Sequence, residues 1–128
     1  MADASALSEY LSAGGSPTPF DVHLVPDAEL HVPEVCDIEV VSALRRSLRH
    51  GYLTDGDARQ LIVDYGELPL TRHRHPPLVG RMFELRDNFS AADAAYVALA
   101  ERLGADLLTA DRRLALAVRR HTALRCLP

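Results

Sequence analysis

A chain of 128 residues, 48% apolar and 25% charged, has the size and composition of one ordinary globular domain with a core of its own. Its formal net charge of −4 excludes a uniformly basic nucleic-acid binder, although local patches rather than the total decide contacts with RNA. All 14 basic residues are arginine, which excludes the lysine-dependent P-loop and every mechanism built on a catalytic lysine.

No stretch approaches the ~20 apolar residues of a transmembrane helix. The opening MADASALSEYL carries acids and no basic leader, so a cytoplasmic protein is expected. Residues 5–13 read as a short helix. Residues 14–29, GGSPTPFDVHLVPDAE, hold three prolines and read as a loop with one helical turn. Pro33 and Glu34 open a helix reaching about His50, with Gly51 as its stop. Thr54 with Asp57 forms a capping pattern for a helix to about Glu67. Residues 68–72, LPLTR, suit a strand, and 76–87 a further helix.

Ser90 with Asp93 repeats the capping pattern for an alanine-rich helix ending at Leu103 and Gly104. Residues 106–109 are short and apolar enough for a buried parallel strand. A helix over 112–120 and a strand near 122–127 complete the chain. Short apolar strands alternating with helices predict one α/β domain over residues 1–128. The expected form is a three-layer α/β/α sandwich with a central, mainly parallel sheet and its site at the carboxyl ends of strands. Cys36 and Cys126 stand alone in apolar contexts and read as free thiols.

Four acids stand where strands end or helices begin. Asp3, Asp93 and Asp111 each suit a helix cap as well as they suit a ligand. Glu39 lies at the border of the stripe formed by Cys36, Val40, Ala43, Leu44 and Leu48, on the side shared with Ser42 and Arg46. That position serves either a cleft or the open surface. The helix carrying AAYVALA is apolar on nearly all sides and is expected to be sandwiched, so Asp93 at its mouth faces other elements. Carboxylates converging there repel unless a cation neutralises them, and oxygen ligands suit Mg²⁺ or Mn²⁺.

The blocks DASAL (3–7), PEVCDIEVVSALRR (33–46), LRDNFSAADAAYVALAE (85–101) and LLTADRRL (107–114) resemble the PIN-domain family, and within it the VapC-type toxins of bacterial toxin–antitoxin pairs. Asp, Glu, Asp and Asp in this order and at these separations is the specific part of the likeness, which spans nearly the whole chain. The resemblance implies a metal-dependent endoribonuclease that uses Mg²⁺ or Mn²⁺ and leaves a 5′-phosphate and a 3′-hydroxyl. It also implies a cognate antitoxin that covers the cleft, and a homodimer, for which the apolar helical surface around residues 35–65 is a candidate face. Asp3, Glu39, Asp93 and Asp111 then match the acidic quartet. Ser5 and Thr109 match hydroxyl positions that brace the acids. Asn88, the one asparagine, either positions a ligand or stabilises a loop through an Asx turn.

The likeness breaks in two places. Only Met1 and Ala2 precede Asp3, where the family has a full strand, and the proline-rich 14–29 segment replaces a cleaner helix. Arg46, on the face of Glu39, and Arg112, beside Asp111, are the arginines best placed to contact phosphate at the rim; otherwise they are solvated helix surface. The RHRHPP run (72–77) reads as an extended loop after a strand rather than a zinc site. The tyrosines and phenylalanines read mostly as core. Two other readings use the same acids: a catalytically silent PIN-like binding module, and a generic acidic α/β phosphatase, which the lack of lysine and of a DxD motif disfavours.

Overall fold

The computed structural model describes residues 1–127. In chain order the elements are α1 (Ala4–Ser12), β1 (Leu30–Pro33), α2 (Val35–Arg49), α3 (Asp55–Glu67) and β2 (Leu70–His73). A 3-10 turn (Pro76–Leu78) leads into α4 (Val79–Glu84). Then follow α5 (Ala91–Leu103), β3 (Leu107–Leu108), α6 (Arg112–His121) and β4 (Cys126–Leu127).

β1 pairs in parallel with β2, Leu30 opposite Leu70 and Pro33 opposite His73; β3 pairs in parallel with β4. Residues 1–3 join the two ladders. Ala2 forms a parallel bridge to Leu108. Its N–H donates to the His31 carbonyl at 3.3 Å, while Leu108 donates to Met1 at 2.7 Å and Asp3 donates to Leu108 at 2.9 Å. The hydrogen-bonded order is therefore β2, β1, residues 1–3, β3, β4. Met1 and Ala2 are buried, as a central strand should be. Ala2 contributes a single parallel bridge there.

Residues 14–29 form turns and loop, but β1 corrects the sequence reading at 30–33, which placed no strand there and opened a helix at Pro33. LHVP is too short to show an alternation, and what makes it a strand is remote: its partners are residues 70–73 and Ala2. Pro33 ends the strand instead of starting the helix. α2 begins at Val35, whose N–H donates to Nε2 of His75 at 3.1 Å, so a histidine from the RHRHPP run caps the helix in place of a local side chain. His73 belongs to β2, and its Nε2 lies 3.0 Å from Nδ1 of His31.

α1, α2 and α3 pack on one another, α5 lies against β1 and β3 with α4 beside it, and α6 packs on β4. α5 is buried without interruption from Ala94 to Ala100, as its composition predicts. Alanines bring its backbone close to the sheet, while Tyr96, Val97 and Leu99 fill the core at roughly 1.5–3 kcal/mol per large apolar side chain. Gly104, at φ 59°, ends the helix in the left-handed conformation. Cys36 is buried and Cys126 half-buried, and both are free thiols. Among the described residues no helix is long and apolar enough to cross a membrane.

Candidate functional site

Each of the four acids belongs to a different helix, Asp3 and Asp111 as N-caps and Glu39 and Asp93 within α2 and α5. Asp3 leaves the central strand and caps α1, with Oδ1 accepting the Ala6 N–H at 2.9 Å. The same oxygen accepts the Ser5 hydroxyl at 2.7 Å, and Oδ2 accepts the Thr109 hydroxyl at 2.5 Å. Asp111 follows β3 and caps α6, its Oδ1 accepting N–H groups of Arg113 and Leu114 at 2.8 and 3.3 Å. Two of the acids are thus caps, held in place by backbone donors.

Asp93 differs. The Ser90 hydroxyl oxygen accepts its N–H at 3.1 Å, but the Asp93 carboxylate makes no return bond among the described residues. The Thr54–Asp57 pair shows the complete box, with Asp57 Oδ2 accepting the Thr54 N–H at 3.2 Å. Asp93 therefore sits in the first turn with its carboxylate uncommitted to the cap. Glu39, half-buried on α2, has one side-chain hydrogen bond among the described residues: Oε2 accepts the hydroxyl of Tyr96 at 2.6 Å.

The four carboxylates line one cleft of about 240 Å³, together with Ser5, Ser8, Arg46 and Tyr96. Burial pushes the Asp3 carboxyl above its ordinary range; donors on Thr109, Ser5 and Ala6 pull it back, and the charge of Asp111 adds to the rise. Burial also raises Glu39, against the bond from Tyr96. The charges of Asp93 and Asp3 raise it further, and Arg46 offsets them in part. The acids feel one another across the cleft, with one arginine as partial compensation. A bound cation would relieve that repulsion.

The donor set is all oxygen, which suits a hard cation such as Mg²⁺ or Mn²⁺. Among the described residues no three acidic, histidine or cysteine groups close into a cage. Mg²⁺ keeps several of its waters and takes few protein ligands. Ser8 Oγ, in the cleft wall, is buried with no partner among the described residues, so the cleft also holds a polar group with unused capacity. The residues present fit an Mg²⁺-type ion.

Residues 1–119 match the PIN domain family. The chain belongs to the PIN-domain family. Within it the chain is VapC-type. It is 40% identical over 114 residues to VapC ribonuclease Mb0985 of Mycobacterium bovis, an alignment covering 89% of this chain and 87% of the relative. The identity and coverage are the same for Ribonuclease VapC9 of Mycobacterium tuberculosis. Ribonuclease VapC3 of that species is 35% identical over 115 residues, 90% of this chain and 84% of the relative. The crystal structure of PAE2754 from Pyrobaculum aerophilum shares the fold with a TM-score of 0.66, over 98% of this chain and 80% of that one, at 21% identity.

In this PIN domain Ser5 and Thr109 tie the acids together. Ser5 Oγ accepts the N–H groups of Ala110 and Asp111 at 2.9 and 3.1 Å while donating to Asp3, so the loop after β3 is pinned to α1. Arg46 lines the cleft as its shared face with Glu39 predicts. Arg112 is exposed and borders an adjoining hollow of about 490 Å³ that also takes in Thr109 and Asp111. Asn88 is exposed, does not line the cleft, and its side chain makes no hydrogen bond among the described residues. Tyr96 and Ser8 are cleft residues that the sequence reading passed over. The spacing of Tyr96, three residues after Asp93, could have placed it on the cleft side of α5. Tyr52 and Phe83, expected in the core, are exposed.

Proposed function

We propose that this chain is a metal-dependent endoribonuclease, the toxin of a type II toxin–antitoxin pair, working as a single PIN-like domain over residues 1–128. Four acids brought to one cleft by four helices carry the reading, with the charge of Asp111 bearing on Asp3 and those of Asp93 and Asp3 bearing on Glu39. The names of the mycobacterial relatives, all ribonucleases, support RNA as the substrate.

On this reading Asp3, Glu39, Asp93 and Asp111 hold Mg²⁺ or Mn²⁺. Such an ion supplies an activated water for attack on a phosphodiester and neutralises charge on the phosphate. Ser5 and Thr109 fix the carboxylate of Asp3, and through it the Asp3–Asp111 side of the cleft. Arg46 contacts a phosphate beside the scissile bond, and Arg112 a phosphate further along the strand. Asn88, outside the cleft, has at most a role in bracing its loop. The acids' common cleft weighs against a catalytically silent binding module.

A cognate antitoxin would hold the cytoplasmic enzyme inactive by covering the cleft. The groove between α2 and α3, about 580 Å³ and floored by Val41, Leu44, Leu48, Ile62 and Val63, supports a homodimer contact within residues 35–65. The decisive assay incubates purified protein with structured RNA and Mg²⁺ or Mn²⁺ beside an Asp93→Asn variant. Metal-dependent cleavage by the wild type and its loss by at least ~100-fold in the variant are expected, since a donor to the ion is gone. Equal cleavage by both proteins would reject the site.

A further inference from the structure

Glu39 poses a problem that the other acids do not. Asp3 and Asp111 are held by backbone N–H groups at helix N-termini, and Asp93 projects from the first turn of a buried helix. Glu39 projects from the second turn of α2, where every backbone donor is used within the helix. A free glutamate side chain has on the order of 1.5–2 kcal/mol of rotamer entropy to lose when a ligand fixes it. Something else must hold it. Among the described residues its one hydrogen bond comes from the Tyr96 hydroxyl, at 2.6 Å on Oε2, and no bond is made to Oε1.

Tyr96 is itself rigid. It is 1% exposed, its ring is packed inside the core, and α5 carries it one turn beyond Asp93. One helix thus presents both an acid and the group that orients a second acid from the opposite helix. We propose that Tyr96 is a positioning residue. Its hydroxyl takes one oxygen of Glu39 and leaves the other turned to the cation that Asp93 shares. The proposal rests on the reading of Glu39 as a cation ligand. Tyr65 offers the contrasting case. Its hydroxyl, also from a buried ring, donates to Asp37 Oδ1 at 2.7 Å and to Cys36 Sγ at 3.6 Å, on α2 but outside the cleft.

The test titrates Mn²⁺ into the full chain and follows free Mn²⁺ by electron paramagnetic resonance, so the readout is binding and not activity. Tyr96→Phe should weaken Mn²⁺ affinity roughly 10-fold, the lower end of what loss of an outer hydrogen-bond partner costs a metal site. Its KM for RNA at saturating Mn²⁺ should stay at the wild-type value. Tyr65→Phe should bind Mn²⁺ as the wild type does. In the Glu39→Gln background, adding Tyr96→Phe should cost no further affinity, and this cycle holds even if the single variant loses some stability.

Wild-type affinity in Tyr96→Phe, with weak binding in Glu39→Gln, would overturn the positioning role and leave the cleft reading standing. Wild-type affinity in Glu39→Gln would remove Glu39 from the site and the proposal with it. An equal loss in Tyr65→Phe would trace the effect to a loosened core, which also overturns the proposal.

Discussion

Asp3 closes the N-terminus of α1 with one oxygen and accepts the Thr109 hydroxyl on the other, so nearly every lone pair of a buried carboxylate is engaged. Glu39 has a single donor among the described residues and is raised above the ordinary carboxylate range by burial first, and then by the charges of Asp93 and Asp3. A carboxyl whose pKa is raised by the fold holds its proton more tightly folded than unfolded. Its charged form weakens the native state above the raised pKa, and that handicap fades as pH falls through it. Glutamine mimics the protonated form. Without metal, Glu39→Gln should therefore melt above the wild type at neutral pH, and the gap should close as the pH falls through the raised pKa toward the ordinary carboxylate value. Thermal melts in chelator across that range check it; a gap that stays flat or widens in acid would mean that Glu39 is not under electrostatic stress. With excess Mn²⁺ the order should reverse, because the ion stabilises the tighter-binding protein more. The acids themselves were legible because Asp and Glu stood at helix mouths and stripe borders in a known order. Tyr96 was not legible: in a run of alanines and a valine an aromatic residue reads as core, and nothing local says where its hydroxyl goes.

At the level of elements, caps and glycine stops were the most readable features. Thr54 and Asp57 close a full capping box, and Ser90 starts α5 where its spacing placed it. Gly104 is the clearest stop, at φ 59° with nothing within 4 Å of the position a Cβ would occupy. Since there is no clash to relieve, Gly104→Ala isolates the backbone cost of the left-handed conformation, about 1 kcal/mol. Gly104→Asn should cost less, because asparagine tolerates that region. Urea denaturation measures both, and equal stability of all three proteins would show that α5 ends without needing the left-handed residue. β1 was hidden for the opposite reason. Its pairing depends on residues about forty positions away and on Ala2, and four residues ending in proline carry no periodicity of their own. Pro33 then mimicked a helix start. His75, which caps α2 across a loop, was equally unreadable, since a cap reached from forty residues away leaves no local spacing.

For the molecule as a whole, everything turns on three residues. Among the described residues the β1–β2 and β3–β4 ladders are joined by backbone hydrogen bonds through residues 1–3, and Asp3 enters the cleft directly from that joint. Ala2 is fully buried and donates to His31 on one side while bridging Leu108 on the other. Ala2→Pro removes that donor, fixes φ and forces a ring into filled space, so a cost of about 3 kcal/mol or more is expected. Ala2→Gly keeps the donor and loses only a methyl group and chain stiffness, a cost of roughly 1 kcal/mol. If the joint couples sheet and site, the proline variant should lose Mn²⁺ affinity along with stability, and the glycine variant should keep most of both. Equilibrium unfolding, paired with Mn²⁺ titration at a temperature where each variant is folded, separates the outcomes. A proline variant no worse than glycine would mean that the two ladders hold together through side-chain packing alone. Full Mn²⁺ affinity in a destabilised proline variant would mean that Asp3 is positioned by its cap and by Thr109, independently of the strand before it.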